Sequence, residues 1–223
     1  ILTYNELVKK NRFYFSVDII SKKFSYELSN YELNSLNRVD KDEVIKIINK
    51  YMGKSIFLLP LSEISNNLSE LNWVKKVNIS INFKDKINIE IFEYNPIGLY
   101  SYNNQLYYFS KQGKIIDRAK LGLNEKYIIF NGKNVLKHAN DFLNHLENIQ
   151  KDKIPHIKEA SYVNERRWDI ILHNNILINL SEEKIEDSIK NYNKLINNFK
   201  ISEINTIKRI DLRNNQKAII SFK

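Results

Sequence analysis

The chain has 223 residues, of which 43% are hydrophobic and 12% aromatic, and its net charge is +9. This apolar content is enough for one large core or two smaller ones, which excludes a disordered chain. The 35 basic residues are interspersed with 26 acidic ones and form no basic stripe, so a nucleic-acid partner is disfavoured. Five glycines and three prolines leave no flexible linker, so any domain boundary must be a short junction.

The absence of cysteine excludes disulfides, zinc–thiolate sites and thiol nucleophiles. No stretch approaches the ~18 continuous apolar residues that a membrane-spanning helix requires. The sequence starts at Ile1 without a signal-peptide pattern, so we expect it to be an excised portion of a longer protein. Residues 1–25 hold five basic side chains against two acidic ones, and such an excess is attracted to anionic lipid headgroups. The five are Lys9, Lys10, Arg12, Lys22 and Lys23.

The first predicted elements are a strand over residues 26–36 and an amphipathic helix over residues 40–53. The helix has an N-cap at Asp40, an apolar face that includes Val44 and Ile48, and an end at Gly53. A second, shorter helix is predicted over residues 62–71. Apolar residues then alternate with polar ones over residues 77–81 and 87–91, which predicts an antiparallel hairpin. The predicted order is strand, helix, helix, strand, strand.

The second half of the chain predicts mainly antiparallel strands with helices between the hairpins. Residues 104–116 indicate two strands around a turn at residues 112–113, and residues 135–146 indicate a helix. Residues 166–180 predict a hairpin whose turn, His-Asn-Asn, is compatible with positive φ angles. A last helix over residues 185–199 precedes a closing strand, tight turn and strand over residues 209–222. We expect these helices to cover one sheet face.

The sequence supplies no convincing catalytic or metal-binding set. His138 and His145 are seven residues apart on one helix face, but no third ligand stands near them, so we interpret them as solvated or core-edge residues. Glu182 and Glu183 are predicted to lie at a helix start, where they stabilise the helix dipole. No serine lies in a nucleophile motif, and no phosphate-binding loop is present. We therefore predict a protein that is not an enzyme and that has neither a cofactor nor a metal.

Four sequence features occur in a characteristic order and spacing. They are the segment LNWVKKVNISINFKDKINIEIFEYNPIG with its Glu93-x-x-Pro96 motif, the WDIILHNNILINL hairpin and the terminal IDLR. In this order they resemble the extracytoplasmic part of the FtsQ (DivIB) family of bacterial cell-division proteins, over about residues 25–222. The sequence departs from the family pattern at Asn72, Lys84, Ser110 and Asn214.

The resemblance implies an α+β fold in three parts. A juxtamembrane segment, residues 1–24, precedes a polypeptide-transport-associated (POTRA) domain, residues 25–97, and a mixed, mainly antiparallel β domain with covering helices, residues 98–223. The implied protein crosses the inner membrane once, through a helix preceding Ile1, and this portion lies in the periplasm at the division septum. The implied function is a non-enzymatic divisome scaffold that binds FtsB and FtsL and helps recruit or regulate the septal peptidoglycan synthase. Other divisome proteins are expected to bind the POTRA domain.

The closing strand carries the expected partner site. An edge strand offers unpaired N–H and C=O groups, which are a hazard unless a partner strand docks there. In the family the face formed by the last strand and its neighbours receives FtsB, and the residues of that face have counterparts in this sequence. For Ile220 and Phe222, core and interface roles remain equally open, whereas Arg213 is predicted to be exposed at the interface because Leu212 must point inward. The mapped positions are Arg213, Asn214, Gln216, Ser221 and Phe222, with Arg166 in the preceding hairpin.

Two alternatives come from other protein classes. A POTRA-containing outer-membrane protein assembly factor would carry tandem POTRA units, whereas this sequence predicts one. A cell-envelope enzyme would need a convergent cluster of polar residues, which the sequence does not supply.

Overall fold

The computed structural model describes residues 4–119, 126–151, 154–214 and 216–223, with the backbone alone for residues 4–10. The chain forms two compact units, Ile1–Tyr94 and Asn95–Lys223. Among the described residues, no helix is both long and apolar enough to cross a membrane.

The first unit begins with α1 (Tyr4–Lys23), a helix that the sequence analysis did not predict. Its last turn is fixed to the rest of the unit. The buried hydroxyls of Ser21 and Ser55 share a hydrogen bond of 2.6 Å, and the Tyr26 N–H donates to the Ser21 carbonyl. The preceding turns of α1 are mostly exposed from residue 11 onward.

The remainder of the first unit has the predicted order of strand, helix, helix, strand, strand. Its three strands form one sheet in which β3 is central, parallel to β1 and antiparallel to β2. The first strand is shorter than the predicted residues 26–36. The elements are β1 (Asn30–Leu33), α2 (Lys41–Asn49), a short 3₁₀ helix (Ile56–Leu58), α3 (Leu61–Ser69), β2 (Val74–Ile81) and β3 (Lys86–Glu93).

Local signals explain these elements. The Asp40 side chain caps α2 by accepting a hydrogen bond from the Asp42 N–H, as predicted. Gly53 adopts a φ of +76°, which a residue with a Cβ rarely tolerates, and ends the turn after the helix. The unit's core is apolar throughout, with residues from both helices and from alternate positions of β3. They include Val44, Ile48, Ile64, Leu68, Ile87, Ile89 and Ile91.

The second unit is one nine-stranded sheet in the order β12-β11-β10-β9-β8-β7-β4-β5-β6. The pairs β4–β7, β7–β8 and β10–β11 are parallel, and the other five are antiparallel, so the predicted mainly antiparallel α+β domain is confirmed. Its elements are β4 (Pro96–Tyr102), β5 (Gln105–Ser110), β6 (Ile115–Arg118), β7 (Ile129–Asn131), α4 (Val135–Glu147), β8 (Ile157–Val163), β9 (Arg167–Leu172), β10 (Leu177–Asn179), α5 (Ile185–Ile196), α6 (Ile201–Ile204), β11 (Ile207–Asp211) and β12 (Ile219–Phe222).

The core of this unit is centred on aromatic rings. The Phe130 ring lies 5.5 Å from that of Phe109, 6.1 Å from that of Phe142 and 5.9 Å from that of Trp168, in each case edge to face. A Cβ at Gly98 would lie 2.7 Å from the Phe130 ring, so glycine is needed for β4 to pack here. The buried faces of α4 and α5 belong to the same apolar cluster, which fixes the sheet that carries the closing strand.

Candidate partner-binding edge

The strand β12 lies at one edge of the nine-stranded sheet. It pairs with β11 in antiparallel register, and no other strand of the described chain pairs with it. Three of its four residues are exposed, with Ile219 at 65% and Phe222 at 54%, whereas Ile220 is half-buried and packs on the core. The sequence left core and interface roles equally open for Ile220 and Phe222. In the structure Ile220 lies at the edge of the core, whereas Phe222 lies on the surface.

The backbone of β12 has a defined orientation. The Lys223 N–H donates to the Thr206 carbonyl at 2.8 Å, so Lys223 points its main-chain groups towards the β11 side. Main-chain groups alternate between the two sides of an antiparallel strand. Ser221 and Ile219 therefore also face β11, and Ile220 and Phe222 direct their N–H and C=O groups towards the open edge.

The connection between β11 and β12 is longer than the predicted tight turn, because β11 ends at Asp211 and β12 begins at Ile219. Leu212 is buried, as predicted, and its N–H donates to the Asn179 carbonyl. Asn214 and Gln216 are exposed, and the Asn214 carboxamide oxygen accepts a hydrogen bond from the Gln216 N–H at 2.8 Å. Both therefore lie in the connection and not on the strand.

Arg213 also lies in this connection, and it is paired rather than free. Its Nε donates to both carboxylate oxygens of Asp211, at 2.9 and 3.0 Å, and its Nη2 donates to one of them at 2.6 Å. The Arg213 side chain is 49% exposed, whereas the Asp211 side chain is 11% exposed. The prediction of an exposed arginine therefore holds for about half of the side chain. Because of the ion pair, replacing Arg213 is expected to lower the unfolding free energy more than replacing an unpaired surface residue would.

Sequence reasoning missed the carboxylate that holds Arg213. Hydrogen bonds from Arg213 lower the pKa of Asp211 and outweigh its partial burial, which raises it. Arg209 also reaches Asp211, at 3.3 Å, and its Nε donates to the Asn179 side chain at 2.6 Å. In the sequence, the position of this carboxylate is indicated only by the spacing in IDLR. Asp211 falls between the core residues Ile210 and Leu212, so its side chain points to the opposite face of the strand.

Arg166 lies in the turn between β8 and β9, and its Nε is 3.7 Å from a carboxylate oxygen of Glu182. Both side chains of this loose pair are more than half exposed. Arg166 and Arg213 line one shallow groove of about 340 Å³, together with Glu182 and Lys184. The structure thus brings together two predicted residues that are far apart in sequence.

A second groove, of about 290 Å³, lies between α5 and the β11–β12 connection. Asn214 and Gln216 contribute to it from the connection, and Lys194 and Leu195 contribute from the helix. Ser221 and Phe222 line neither groove and are displayed on β12 itself. The six predicted residues therefore occupy three adjoining places: the open strand, the groove beside α5 and the groove that holds the two arginines.

The residues considered earlier for metal binding or catalysis have structural contacts. His145 Nδ1 lies 2.7 Å from Glu186 Oε1, and the His138 ring lies 4.6 Å from the Tyr162 ring. Among the described residues, no three His, Cys, Asp or Glu side chains are placed to hold a metal ion. The predicted role of Glu182 and Glu183 needs correction: α5 begins at Ile185, so its first-turn acids are Glu186 and Asp187.

The arrangement can bind a second polypeptide. Ile220 and Phe222 direct main-chain donors and acceptors towards the open edge, and Ile219 and Phe222 expose apolar side chains. The two predicted arginines and the two predicted amides line grooves in the same unit. Ile220 packs on the buried core of the unit and holds the strand in place. Such an edge accepts a partner strand through main-chain hydrogen bonds and selects it through side chains.

Comparison with known proteins identifies the family. Residues 28–94 match the profile of the FtsQ-type POTRA domain, and residues 98–213 match that of the C-terminal domain of the cell-division protein FtsQ/DivIB. The cell-division proteins FtsQ of Rickettsia typhi and Rickettsia prowazekii are 31% and 30% identical to this chain, over 90% of it and 74% of their own length. The major extracytoplasmic domain of DivIB from Geobacillus stearothermophilus aligns with 49% of this chain and 99% of its own, at 12% identity and a TM-score of 0.36. The profile matches and the two relatives show that the chain belongs to the FtsQ/DivIB family of bacterial cell-division proteins.

Proposed function

We propose that this chain is a non-enzymatic scaffold of the divisome. It binds FtsB and FtsL outside the cytoplasmic membrane and helps recruit or regulate the septal peptidoglycan synthase. Membership of the cell-division family supports the divisome role. The observation that supports partner binding most strongly is the open outer edge of β12, with Ile219 and Phe222 exposed on it.

The proposed binding mode is strand addition. A segment of FtsB extends the sheet by pairing with the outward N–H and C=O groups of Ile220 and Phe222. The exposed ring of Phe222 anchors the segment, and Ser221 lies between the two pairing positions. Main-chain pairing supplies affinity without a deep pocket, which agrees with the shallow grooves on this side of the unit.

The connection and the neighbouring turn extend the proposed contact. Asn214 and Gln216 present amides beside α5, and they suit a polar stretch of partner next to the added strand. Arg166, in its loose pair with Glu182, is available to an acidic partner side chain. Arg213 contributes the outer part of its guanidinium while Asp211 fixes its orientation.

We further propose that the chain has three parts and lies outside the cytoplasmic membrane. Residues 1–24 form a juxtamembrane segment, residues 25–97 a POTRA domain that binds other divisome proteins, and residues 98–223 the FtsQ-type β domain. A single membrane-spanning helix precedes Ile1, and the two domains lie in the periplasm at the division septum. An outer-membrane assembly factor is not favoured, because the matching POTRA profile is the FtsQ type.

The proposal is tested by binding of an immobilised peptide from the C-terminal part of FtsB. Ile219 and Ile115 form a matched pair, since both are exposed isoleucines on the two opposite edge strands of the same sheet. We expect saturable binding by the wild-type chain, strong weakening by Ile219→Lys and no effect of Ile115→Lys. Absence of binding, or equal effects of the two variants, would contradict the proposal.

Catalysis provides a separate test. The purified chain is expected to leave peptidoglycan intact, as measured by release of soluble muropeptides. Reproducible turnover that a single point mutation abolishes would overturn the scaffold assignment.

A further inference from the structure

The exposed apolar side chains of the first unit are concentrated around α1. Of the fifteen large hydrophobic residues that are exposed in the described chain, eight lie in α1, in the turn after it or in the 3₁₀ helix that contacts it. A soluble surface rarely carries such a concentration unless something binds there. We call this set the α1 apolar patch: Phe13, Tyr14, Phe15, Ile19, Ile20, Phe24, Tyr26 and Phe57.

The patch has a regular arrangement. Phe13, Ile20 and Phe24 are spaced by seven and four residues, so they lie along one side of the helix. The Phe24 N–H donates to the Ile20 carbonyl, which continues the helical turn to the end of this stripe. At its base the Tyr26 and Phe57 rings lie 5.5 Å apart. The bond between Ser21 and Ser55 fixes the helix to this base, so the patch is held in position.

Basic residues border the patch. Between residues 11 and 24, Arg12, Lys22 and Lys23 stand against a single acidic residue, Asp18, which pairs with Lys22 at 2.8 Å. The Lys23 ammonium lies 5.9 Å from the centre of the Phe24 ring. Aromatic rings next to lysine and arginine are typical of segments that lie at a membrane–water interface, where the cations meet anionic headgroups.

We propose that the α1 apolar patch is a lipid-binding surface that lies against an anionic leaflet. A second copy of the chain fits the patch less well, because Arg12, Lys22 and Lys23 would be brought close to the same residues of that copy, whereas anionic headgroups attract them. The stripe of Phe13, Ile20 and Phe24 is the side that meets the leaflet, since Phe15 and Ile19 lie about half a turn away from it around the helix. The inference rests on the juxtamembrane position proposed for residues 1–24 and adds a lipid contact to it, but it does not depend on FtsB binding, so the two can fail separately.

The test is flotation of the complete chain with vesicles. One preparation contains equal parts of phosphatidylglycerol and phosphatidylcholine, and the other contains phosphatidylcholine alone. We expect binding to the anionic vesicles, and at least about tenfold weaker binding after the double change Phe13→Ser and Phe24→Ser. Phe83→Ser is the matched control, because Phe83 is 65% exposed in the same unit and lies outside the patch. It should leave binding unchanged.

Charge is tested by Lys22→Gln with Lys23→Gln. At low salt this change should weaken binding at least about fivefold, whereas Lys75→Gln with Lys76→Gln, two exposed lysines of β2, should have little effect. Three results would each overturn the proposal: no binding to anionic vesicles, equal binding to both vesicle types, or equal weakening by Phe83→Ser. Concentration-dependent dimerisation that the double serine variant abolishes, without vesicle binding, would identify the patch as a self-association surface instead.

Discussion

Phe222→Ala separates an interface residue from a core residue on β12. Phe222 is 54% exposed, so a little under half of it is buried. Complete burial of a phenylalanine side chain stabilises a protein by about 1.5–3 kcal/mol, and this partial burial therefore corresponds to about 1 kcal/mol. A fully buried aromatic would cost about 3–5 kcal/mol on truncation, because an internal cavity would add to the loss.

The effect on binding should be larger than the effect on folding. If Phe222 anchors a partner strand, its truncation removes upwards of about 2 kcal/mol of binding free energy, which is about 30-fold in Kd. Calorimetric titration with an FtsB peptide gives the affinity, and thermal unfolding gives the stability. Phe83→Ala is the matched control: Phe83 is similarly exposed but belongs to the other unit, so the affinity should not change.

Two results would refute the reasoning about Phe222. A loss of 3 kcal/mol or more in unfolding free energy, on the order of a core truncation, would show that the ring supports the core. Wild-type affinity in the Phe222→Ala variant would show that the edge of β12 is not the binding site.

Three further changes follow from contacts in the structure. Arg213→Gln removes the bidentate pair with Asp211, so we expect unfolding free energy to fall by about 1–2 kcal/mol, and denaturant unfolding with no loss would contradict the role of that pair. Ile219→Pro removes an N–H that faces β11 and should destabilise the domain by about 1–3 kcal/mol, whereas an unchanged melting temperature would reverse the assigned backbone orientation. Glu93 is partly buried, which raises its pKa, but N–H donors from Val39, Arg38 and Asn37 prevail and lower it. Its contribution to stability is therefore present above the ordinary carboxyl pKa and is lost as pH falls through the lowered value. Melting curves over acidic pH should show this loss in the wild type and a flatter profile in Glu93→Gln, and parallel profiles would exclude the contribution.

The elements that the sequence predicted well carry strong periodic patterns. The faces of α2, α4 and α5 repeat at helical spacing, and β2, β3 and β9 alternate between apolar and polar residues. In these segments local pattern and tertiary burial agree, so one sequence suffices to locate them.

The missed elements lack such patterns. The strand β7 has three residues, and β8 carries polar and small residues over much of its length, so neither presents a clear alternation. The strand β4 contains Pro96 and Gly98, two residue types that favour a junction between elements over a strand. In the structure the glycine is needed because a Cβ at this position would collide with the Phe130 ring. The helix α1 was missed because its apolar residues do not form a single buried face.

The candidate site was predictable in position but not in detail. The apolar residues near 219–222 indicated a strand, and exposure of Phe222 follows from the place of β12 at the edge of the sheet. The pairing of Arg213 with Asp211 depends on side-chain directions in an irregular connection, which spacing along the chain does not determine. The common groove of Arg213 and Arg166 depends on the order of strands in the sheet.

Amide hydrogen exchange, with and without an FtsB C-terminal peptide, tests the strand-addition account most directly. In the free chain the Ser221 amide faces β11 and should be protected, whereas the Ile220 and Phe222 amides face the open edge and should exchange faster. Binding of the peptide should protect Ile220 and Phe222 and leave Ser221 nearly unchanged. A peptide that binds without protecting either outward amide would contradict docking by strand addition at β12.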